Sequence, residues 1–268
     1  MTASVRDRSV ALQAISEVAE RLISLVCDAP DPGATVPASP EWTVADAFAH
    51  VVTVAPRYQQ GPLQEGDWTD TAGELPALNA HQLGALESRD VVALSAQLRA
   101  SISELAGLLD RFGDAQPTFR FHGGGQVAAD ESLGILLGEL VVHGWDIAQA
   151  VGRPWPIEPG HAELIQQGIN PVLPGWLDPQ RARNHTGTYE FRLRGQGTHR
   201  FAFRDGALTV NPSGPWRPGV VVSADPATFL LVVYKRRSQW PGILTGKLVA
   251  WGRRPWLALS FAGRFHRP

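Results

Sequence analysis

Residues 137–155, LGELVVHGWDIAQAVGRPW, are apolar almost throughout and indicate a helix that ends at the glycine and proline of GRPW. A helix that is apolar on nearly every face is typical of a protein interior. This one nevertheless contains Glu139, His143 and Asp146. Burying a carboxylate without a partner costs several kcal/mol in practice. The stretch therefore predicts a buried helix whose acidic groups are neutralised by a cation, a shared proton or a metal ion.

The spacing of these polar residues favours the metal. On a helix, Glu139 and His143 lie about 40° apart on one face, and Asp146 lies about 20° to the other side of Glu139. His50 lies in a second apolar segment, AFAHVV (47–52). Two histidines and one glutamate that leave a position open form the catalytic type of zinc site, and helix bundles build such sites from facing helices.

We therefore expect His50, Glu139 and His143 to bind a divalent metal ion. Asp146 is expected to orient a ligand from behind or to contact substrate. A simple buried ion pair between Glu139 and His143, without a metal, stays open as the alternative.

The first half of the chain has the pattern of a helix bundle. Apolar residues at three-to-four spacing predict helices at about 5–28, 43–58, 88–112 and 130–151. The connections between them are polar and turn-rich. Four long helices with such connections predict a four-helix bundle.

The second half changes character after residue 158. The pattern predicts a linking helix at 158–177, strands at 189–193, 199–210, 218–225 and 247–252, a helix at 226–237 and a closing helix at 255–265. Asp205-Gly206 predicts a tight hairpin turn within 199–210. We therefore expect an α+β chain, with a bundle at 1–157 and a small α+β domain at 158–268, of which 158–180 is the link.

Charge is divided unevenly along the chain. Residues 1–180 contain 9 Lys/Arg and 23 Asp/Glu, whereas residues 181–268 contain 15 Lys/Arg and 3 Asp/Glu. A basic half can bind an acidic small molecule, nucleic acid or an acidic protein surface, which includes the other half of the same chain. Arg accounts for 13 of the 15 basic residues, and its guanidinium suits planar recognition of carboxylates.

Several classes of protein are disfavoured. No apolar run is long enough to span a membrane, and the first residues lack a signal-peptide pattern, so we expect a cytoplasmic protein. The single cysteine, Cys27, excludes an internal disulfide. The basic runs 235–237 and 253–254 are too short to indicate nucleic-acid binding. The expected partners are small molecules, and the expected state is a monomer or homodimer.

Four segments together resemble the mycothiol-dependent maleylpyruvate isomerase family. WTVADAFAHVV (42–52) and GELVVHGWDIAQAVGRP (138–154) are similar to its N-terminal domain, a DinB-like metal-binding four-helix bundle. RFAFRDGALTV (200–210) and ADPATFLLVVYKRR (224–237) are similar to its C-terminal, sterol-carrier-like domain. The segment YKRR departs from the family, in which a glycine-arginine pair is expected.

The resemblance implies an enzyme with a divalent metal, usually zinc, on His50, Glu139 and His143. It implies mycothiol, a low-molecular-weight thiol, as cosubstrate and a small electrophile as substrate. The outcome is cis–trans isomerisation or S-transfer. Asp146, Arg236 and Arg237 are then the expected catalytic residues, with Arg192 and Arg194 as further candidates for binding an anionic substrate.

Two other functions stay open at this point. The second hypothesis is a non-catalytic, metal-stabilised protein that binds a small apolar molecule, and the Leu/Val-rich C-terminal helix and the tryptophans favour it. The third hypothesis is a biosynthetic tailoring enzyme that uses the same metal without mycothiol. The ligand set itself suits zinc, nickel and iron.

Overall fold

A computed structural model describes residues 5–266, and its N-terminal half is a helix bundle. The helices are α1 Val5–Cys27, α2 Val44–Val54, α3 Arg57–Gln60, α4 Leu75–Gly84, α5 Val91–Phe112 and α6 Ala129–Ala150. Helices α1 and α2 each pack against both α5 and α6, so these four form the predicted four-helix bundle. Two short hairpins accompany them: β1 Thr35–Val36 with β2 Ser39–Thr43, and β3 Thr118–Arg120 with β4 Gln126–Ala128.

The C-terminal half contains a five-stranded sheet. Its elements are α7 Pro159–Ile169, α8 Pro179–Ala182, β5 Gly187–Leu193, β6 Thr198–Arg204, β7 Ala207–Val210, β8 Val220–Ala224, α9 Pro226–Val233, α10 Gln239–Leu244 and β9 Leu248–Gly252. The strand order is β7-β6-β5-β8-β9, and only β5 and β8 run parallel. The predicted hairpin is present, because Asp205 and Gly206 both adopt positive φ between β6 and β7. The fold is α+β, as the sequence indicates.

Apolar residues form two cores. The larger core fills the bundle, and the smaller one is an aromatic cluster on one face of the sheet. Helix α7 packs along α6, and its Ala162 and Ile165 belong to the core of the bundle. The division of the chain at residues 157/158 stays a prediction. No helix within residues 5–266 has the length and hydropathy needed to cross a bilayer.

Several helices end earlier than their apolar patterns predict. The helix expected at 43–58 stops at Val54, since Pro56 has no N–H to continue it, and the short α3 follows. The helix expected at 226–237 ends at Val233, and Lys235 adopts a φ of 58° two residues later. The linking helix expected at 158–177 stops at Ile169.

Other segments differ in kind. The closing helix expected at 255–265 consists of two short 3₁₀ turns, Pro255–Ser260 and Ala262–Arg264. The segment 61–79, between the helices predicted at 43–58 and 88–112, contains the start of α4. The sequence does not predict this helix, because its apolar residues do not recur at helical spacing. The connection at 119–130 contains most of the β3–β4 hairpin and the start of α6.

A capping box sets the start of α2. Thr43 Oγ1 accepts a hydrogen bond from the Asp46 N–H at 3.1 Å, and Asp46 Oδ2 accepts one from the Thr43 N–H at 3.1 Å. Arg89 Nε donates to the other carboxylate oxygen of Asp46 at 2.9 Å. Both carboxylate oxygens of Asp46 therefore accept hydrogen bonds that fix the first turn of α2. His50 follows one turn later on the same helix.

Two glycines allow α6 and α7 to approach closely. A Cβ placed on Gly168 would lie 2.6 Å from the Glu131 carbonyl oxygen and 2.7 Å from the Gly134 Cα. A Cβ on Gly134 would likewise collide with the Leu164 carbonyl oxygen. These are backbone atoms, so the helices can relieve such a clash only by moving apart.

We expect Gly134→Ala to lower the free energy of unfolding by about 1–3 kcal/mol, the usual cost of overpacking a core. Gly107→Ala is the matched control, because Gly107 is also inside a long helix and its new Cβ would meet only Arg111 Nη1 at 3.7 Å. It should raise stability by about 0.5–1 kcal/mol through its helix propensity. Urea denaturation measures both, and equal effects would contradict the close crossing.

Candidate metal centre

His50, Glu139 and His143 converge between α2 and α6. His50 lies in α2, and the other two lie four residues apart in α6, which packs against α2. One ligand atom from each of the three lies within 4.8 Å of the others. Glu139 Oε2 is 3.4 Å from His143 Nε2 and 3.8 Å from His50 Nε2. The structure therefore brings together the three residues that the sequence predicts as metal ligands.

The two separations from Glu139 Oε2 suit a tetrahedral metal ion. Zinc bonds of 2.0–2.1 Å place neighbouring donor atoms about 3.3 Å apart in a tetrahedral site. The two distances to Glu139 Oε2 are close to that value. The His50 ring has no hydrogen bond that competes, since its Nδ1 is buried without a partner among the described residues and its Nε2 is beyond hydrogen-bond range of Glu139.

The protonation states also suit metal binding. Burial, the neighbouring His143 and the more distant Arg57 lower the pKa of His50 to about 3, although Glu139 opposes this. Burial raises the pKa of Glu139, but hydrogen bonding and charge from His143, with His50 and Arg57, outweigh it and lower that pKa to about 2. Neutral imidazole and ionised carboxylate are the forms that ligate a metal.

An indole covers the two histidines. The Trp42 ring centroid lies 4.8 Å from that of His50 and 6.1 Å from that of His143. The two imidazoles meet edge to face, with centroids 4.9 Å apart. Trp42 precedes the N-cap of α2, so the capping box also fixes this cover.

Asp146 connects the metal centre to the C-terminal half. Its Oδ2 lies 3.6 Å from His143 Nδ1. Arg236 donates to the same carboxylate with Nε, 3.0 Å from both oxygens, and with Nη2, 2.9 Å from Oδ2. Asp146 is 2% exposed, and Arg236 is its cationic partner. Arg236, one of the residues that the resemblance implies as catalytic, thus forms an ion pair with Asp146, which the resemblance implies as another.

The other predicted arginines lie elsewhere. The Arg237 guanidinium is 5.3 Å above the Trp145 ring and is exposed. Arg192 is paired with Glu190, and Arg194 donates to Ser223 Oγ. Neither Arg192 nor Arg194 contacts the metal centre in these interactions.

A polar cleft opens beside Asp146. It has a volume of about 840 Å³ and is bounded by the β1–β2 turn, by Trp145, Asp146 and Gln149 of α6, and by residues 234–237. Asp146, Arg236 and Arg237 all line it. The sequence reading missed the contribution of residues 37–41 and of Tyr234, because nothing in those segments marks them as lining a site.

A second, apolar cavity of about 100 Å³ lies on the other side of Glu139. Its polar lining includes Arg57 and His122, neither of which the sequence reading selected. Arg57 donates to the side-chain oxygens of Asn79 and Gln82, and its Nη1 lies 3.4 Å from His122 Nε2. An arginine within the apolar segment VAPRY was the available signal for Arg57.

The Asp146–Arg236 pair allows a direct test of burial. Arg236→Met leaves an uncompensated buried carboxylate and should cost about 3–5 kcal/mol of unfolding free energy. The matched control is Arg99→Met, which removes an exposed pair with Glu20 and should change the unfolding free energy far less. Urea denaturation of both variants measures the difference. Equal losses of unfolding free energy in the two variants would show that burial does not make the Asp146–Arg236 pair more important for stability.

A pH dependence follows from His122. Burial and the nearby Arg57 lower its pKa to about 3, below the value of about 6.5 expected in the unfolded chain. As pH falls from 6.5 towards 3, the unfolded chain binds a proton that the folded chain does not, so the free energy of unfolding decreases.

We expect His122→Gln to reduce that decrease, whereas His81→Gln, at an exposed position, should leave it unchanged. Chemical denaturation of chelator-treated protein at several pH values measures the slope. An unchanged slope in His122→Gln would contradict the assignment.

Comparison with known proteins agrees with this architecture. Residues 12–148 match the family model described as the mycothiol maleylpyruvate isomerase N-terminal domain. No curated protein sequence matches the chain. The crystal structure of the mycothiol-dependent maleylpyruvate isomerase aligns over 92% of this chain and 93% of its own, with a TM-score of 0.53 and 18% identity. The structure of a histidine-to-alanine mutant of that enzyme aligns over the same shares, with a TM-score of 0.57 and 16% identity.

At these identities the likeness to solved structures demonstrates a shared fold. The family model covers just over half of the chain and includes all three candidate ligands and Asp146. The chain therefore belongs to the mycothiol maleylpyruvate isomerase family.

Proposed function

We propose that this chain is a divalent-metal-dependent enzyme that activates a low-molecular-weight thiol, mycothiol, for addition to a small electrophile. The observation that carries the proposal is the convergence of His50, Glu139 and His143 between α2 and α6, with lowered pKa values that leave His50 neutral and Glu139 ionised. Membership of the family supports mycothiol as the thiol. We propose zinc as the metal, because two histidines and a glutamate form a common catalytic zinc site.

When bound, the metal ion would lower the pKa of the thiol, so that a thiolate forms near neutral pH. His50, Glu139 and His143 would hold the ion, with Glu139 lining the apolar cavity and Asp146, beside His143, lining the polar cleft. Asp146 orients His143, and Arg236 holds Asp146 in place as a positioning residue. The polar cleft, with Arg237 over Trp145, has the size and lining to bind a hydrophilic thiol.

The reaction requires an electrophile with a conjugated double bond. The thiolate sulfur forms a bond to the β-carbon, and the π electron pair moves onto the carbonyl oxygen. The former double bond between the α- and β-carbons is now a single bond, and the molecule can rotate about it. Return of the electron pair from the oxygen then re-forms the double bond and expels the thiolate, which gives cis–trans isomerisation. If the α-carbon instead takes up the proton that the thiol lost, the thiol remains attached and the outcome is S-transfer.

One observation favours a second candidate, a non-catalytic binding protein. An apolar groove of about 300 Å³ lies in the C-terminal half between β8, α9 and the final 3₁₀ turns. Such a groove suits an apolar ligand. A tailoring enzyme that uses the metal without mycothiol is the third candidate. Its activity would not require mycothiol, whereas that of the proposed thiol-activating enzyme would.

Metal content tests the centre itself. We expect about one equivalent of zinc in the wild type and a loss of at least tenfold in metal affinity in His50→Ala and in Glu139→Gln, since each removes a ligand. His81→Ala, at an exposed histidine, is the control and should bind metal as the wild type does. Elemental analysis after dialysis against defined zinc concentrations gives the values. Absence of metal from the wild type, even after reconstitution, would overturn the proposed function.

Thiol chemistry tests the activity. We expect consumption of mycothiol, or mycothiol-dependent isomerisation, that disappears with a chelator and returns with zinc. Arg236→Gln should lower kcat and metal affinity together, because its effect passes through Asp146 and His143, and should leave the KM for the electrophile within about threefold. A large rise in KM alone would instead indicate that Arg236 contacts substrate.

A further inference from the structure

The apolar cavity beside Glu139 is built at the junction of the two halves of the chain. Its inner wall is fully buried and comes from α2, α3, α6, α7 and α9, and it includes Val54, Tyr58, Ile135, Ile165 and Phe229. Half-buried Leu75, Trp176 and Phe265 mark its outer end. Ile135 precedes Glu139 by four residues on α6, so the apolar wall continues along the helix face that carries the metal ligand.

Among the described residues, Arg57 is the one Lys or Arg that lines this cavity. Arg57 is 5% exposed, and its hydrogen bonds go to neutral acceptors, the side-chain oxygens of Asn79 and Gln82. Within residues 5–266 no carboxylate is within ion-pair distance of its guanidinium. Glu139 is the acidic group on the same cavity. Once Glu139 ligates a metal ion, its charge is shared with that ion, and Arg57 is left as a buried cation facing an apolar space.

We propose that this cavity binds the apolar body of the electrophile, with one carbonyl or carboxylate oxygen at Arg57. The substrate class is thus a small conjugated monocarbonyl or monocarboxylate compound, not a dicarboxylate such as maleylpyruvate. This inference rests on the proposed function and adds the substrate class to it. Tyr234 lines both this cavity and the polar cleft, so a thiol in the cleft and an electrophile in the cavity would lie on either side of Tyr234, with Glu139 on the cavity side.

Size and charge both support this class. An engineered apolar cavity of about 150 Å³ binds benzene, so about 100 Å³ suits a short carbon chain. One anionic group would bind Arg57, whereas a second would lie in a mostly apolar cavity that offers no second Lys or Arg among the described residues and has Glu139 in its wall. The dianion is therefore excluded by desolvation, and each apolar carbon is favoured by burial.

A chain-length series tests the cavity directly. Isothermal titration calorimetry of the zinc-loaded full chain at pH 7 would compare butanoate, pentanoate, hexanoate and adipate. Each added CH₂ should tighten binding by about fourfold, the equivalent of about 0.8 kcal/mol. Adipate, which has as many carbons as hexanoate and a second carboxylate, should bind at least tenfold more weakly. Equal binding of the two, or no dependence on chain length, would overturn the proposal.

Variants locate the binding. Ile135→Phe fills the cavity and should weaken hexanoate binding at least tenfold, and Ile169→Trp provides a second filling at a half-buried wall position. The control is Ile243→Phe, which lines only the neighbouring groove of the C-terminal half and should leave binding unchanged. Arg57→Gln should remove the preference for hexanoate over 1-hexanol. Loss of binding in Ile243→Phe alone would place the ligand in the other groove and overturn the proposal.

Turnover separates this inference from the function on which it rests. With mycothiol, we expect kcat/KM for trans-2-hexenal to exceed that for maleylpyruvate at least tenfold. Turnover of maleylpyruvate without turnover of hexenal would overturn the substrate class and leave the proposed function intact. A chain-length series that holds while no electrophile is consumed would overturn the proposed function and still support a carboxylate-binding cavity.

Discussion

The arrangement of the molecule depends on two carboxylates in the middle of one buried helix. Glu139 and Asp146 lie two turns apart on α6, where most neighbours are apolar. Each requires a compensating group from another part of the chain. The C-terminal half supplies the cation Arg236 to Asp146. Helix α2 places the neutral imidazole of His50 beside Glu139, and both are candidate ligands of one metal ion. The packing of α2 on α6 and the docking of the two halves are therefore both tied to the neutralisation of α6.

The uneven charge of the sequence is partly explained by ion pairs between the two halves of the chain. The acidic first half and the basic second half meet where Arg236 donates to Asp146 with Nε and Nη2. Glu163 of α7 and His199 of β6 form a second contact between helix and sheet, with Nε2 and Oε2 3.1 Å apart. Part of the basic excess thus serves the acidic half of the same chain, which was one of the alternatives that the charge pattern left open.

The metal ligands could be predicted from the sequence because their signal is local. A polar residue in an apolar helical run is visible without knowledge of the fold, and this identified His50, Glu139 and His143. Arg57 and His122 could not be found in this way. A proline break turns Arg57 towards the cavity, and the β3–β4 hairpin brings His122 to it from 65 residues away. Nor could the pattern distinguish an Arg236 that binds substrate from one paired with Asp146.

The ion pair between Asp146 and Arg236 joins residues 90 positions apart in the chain. During synthesis, the whole bundle and all three metal ligands precede Arg236. A nascent bundle therefore lacks the cationic partner of Asp146 until the chain has been made through α9 and Arg236 has docked. Completion of the centre is thus a late event in the biogenesis of the chain, and a truncated product would contain every ligand yet lack the support that holds one of them in place.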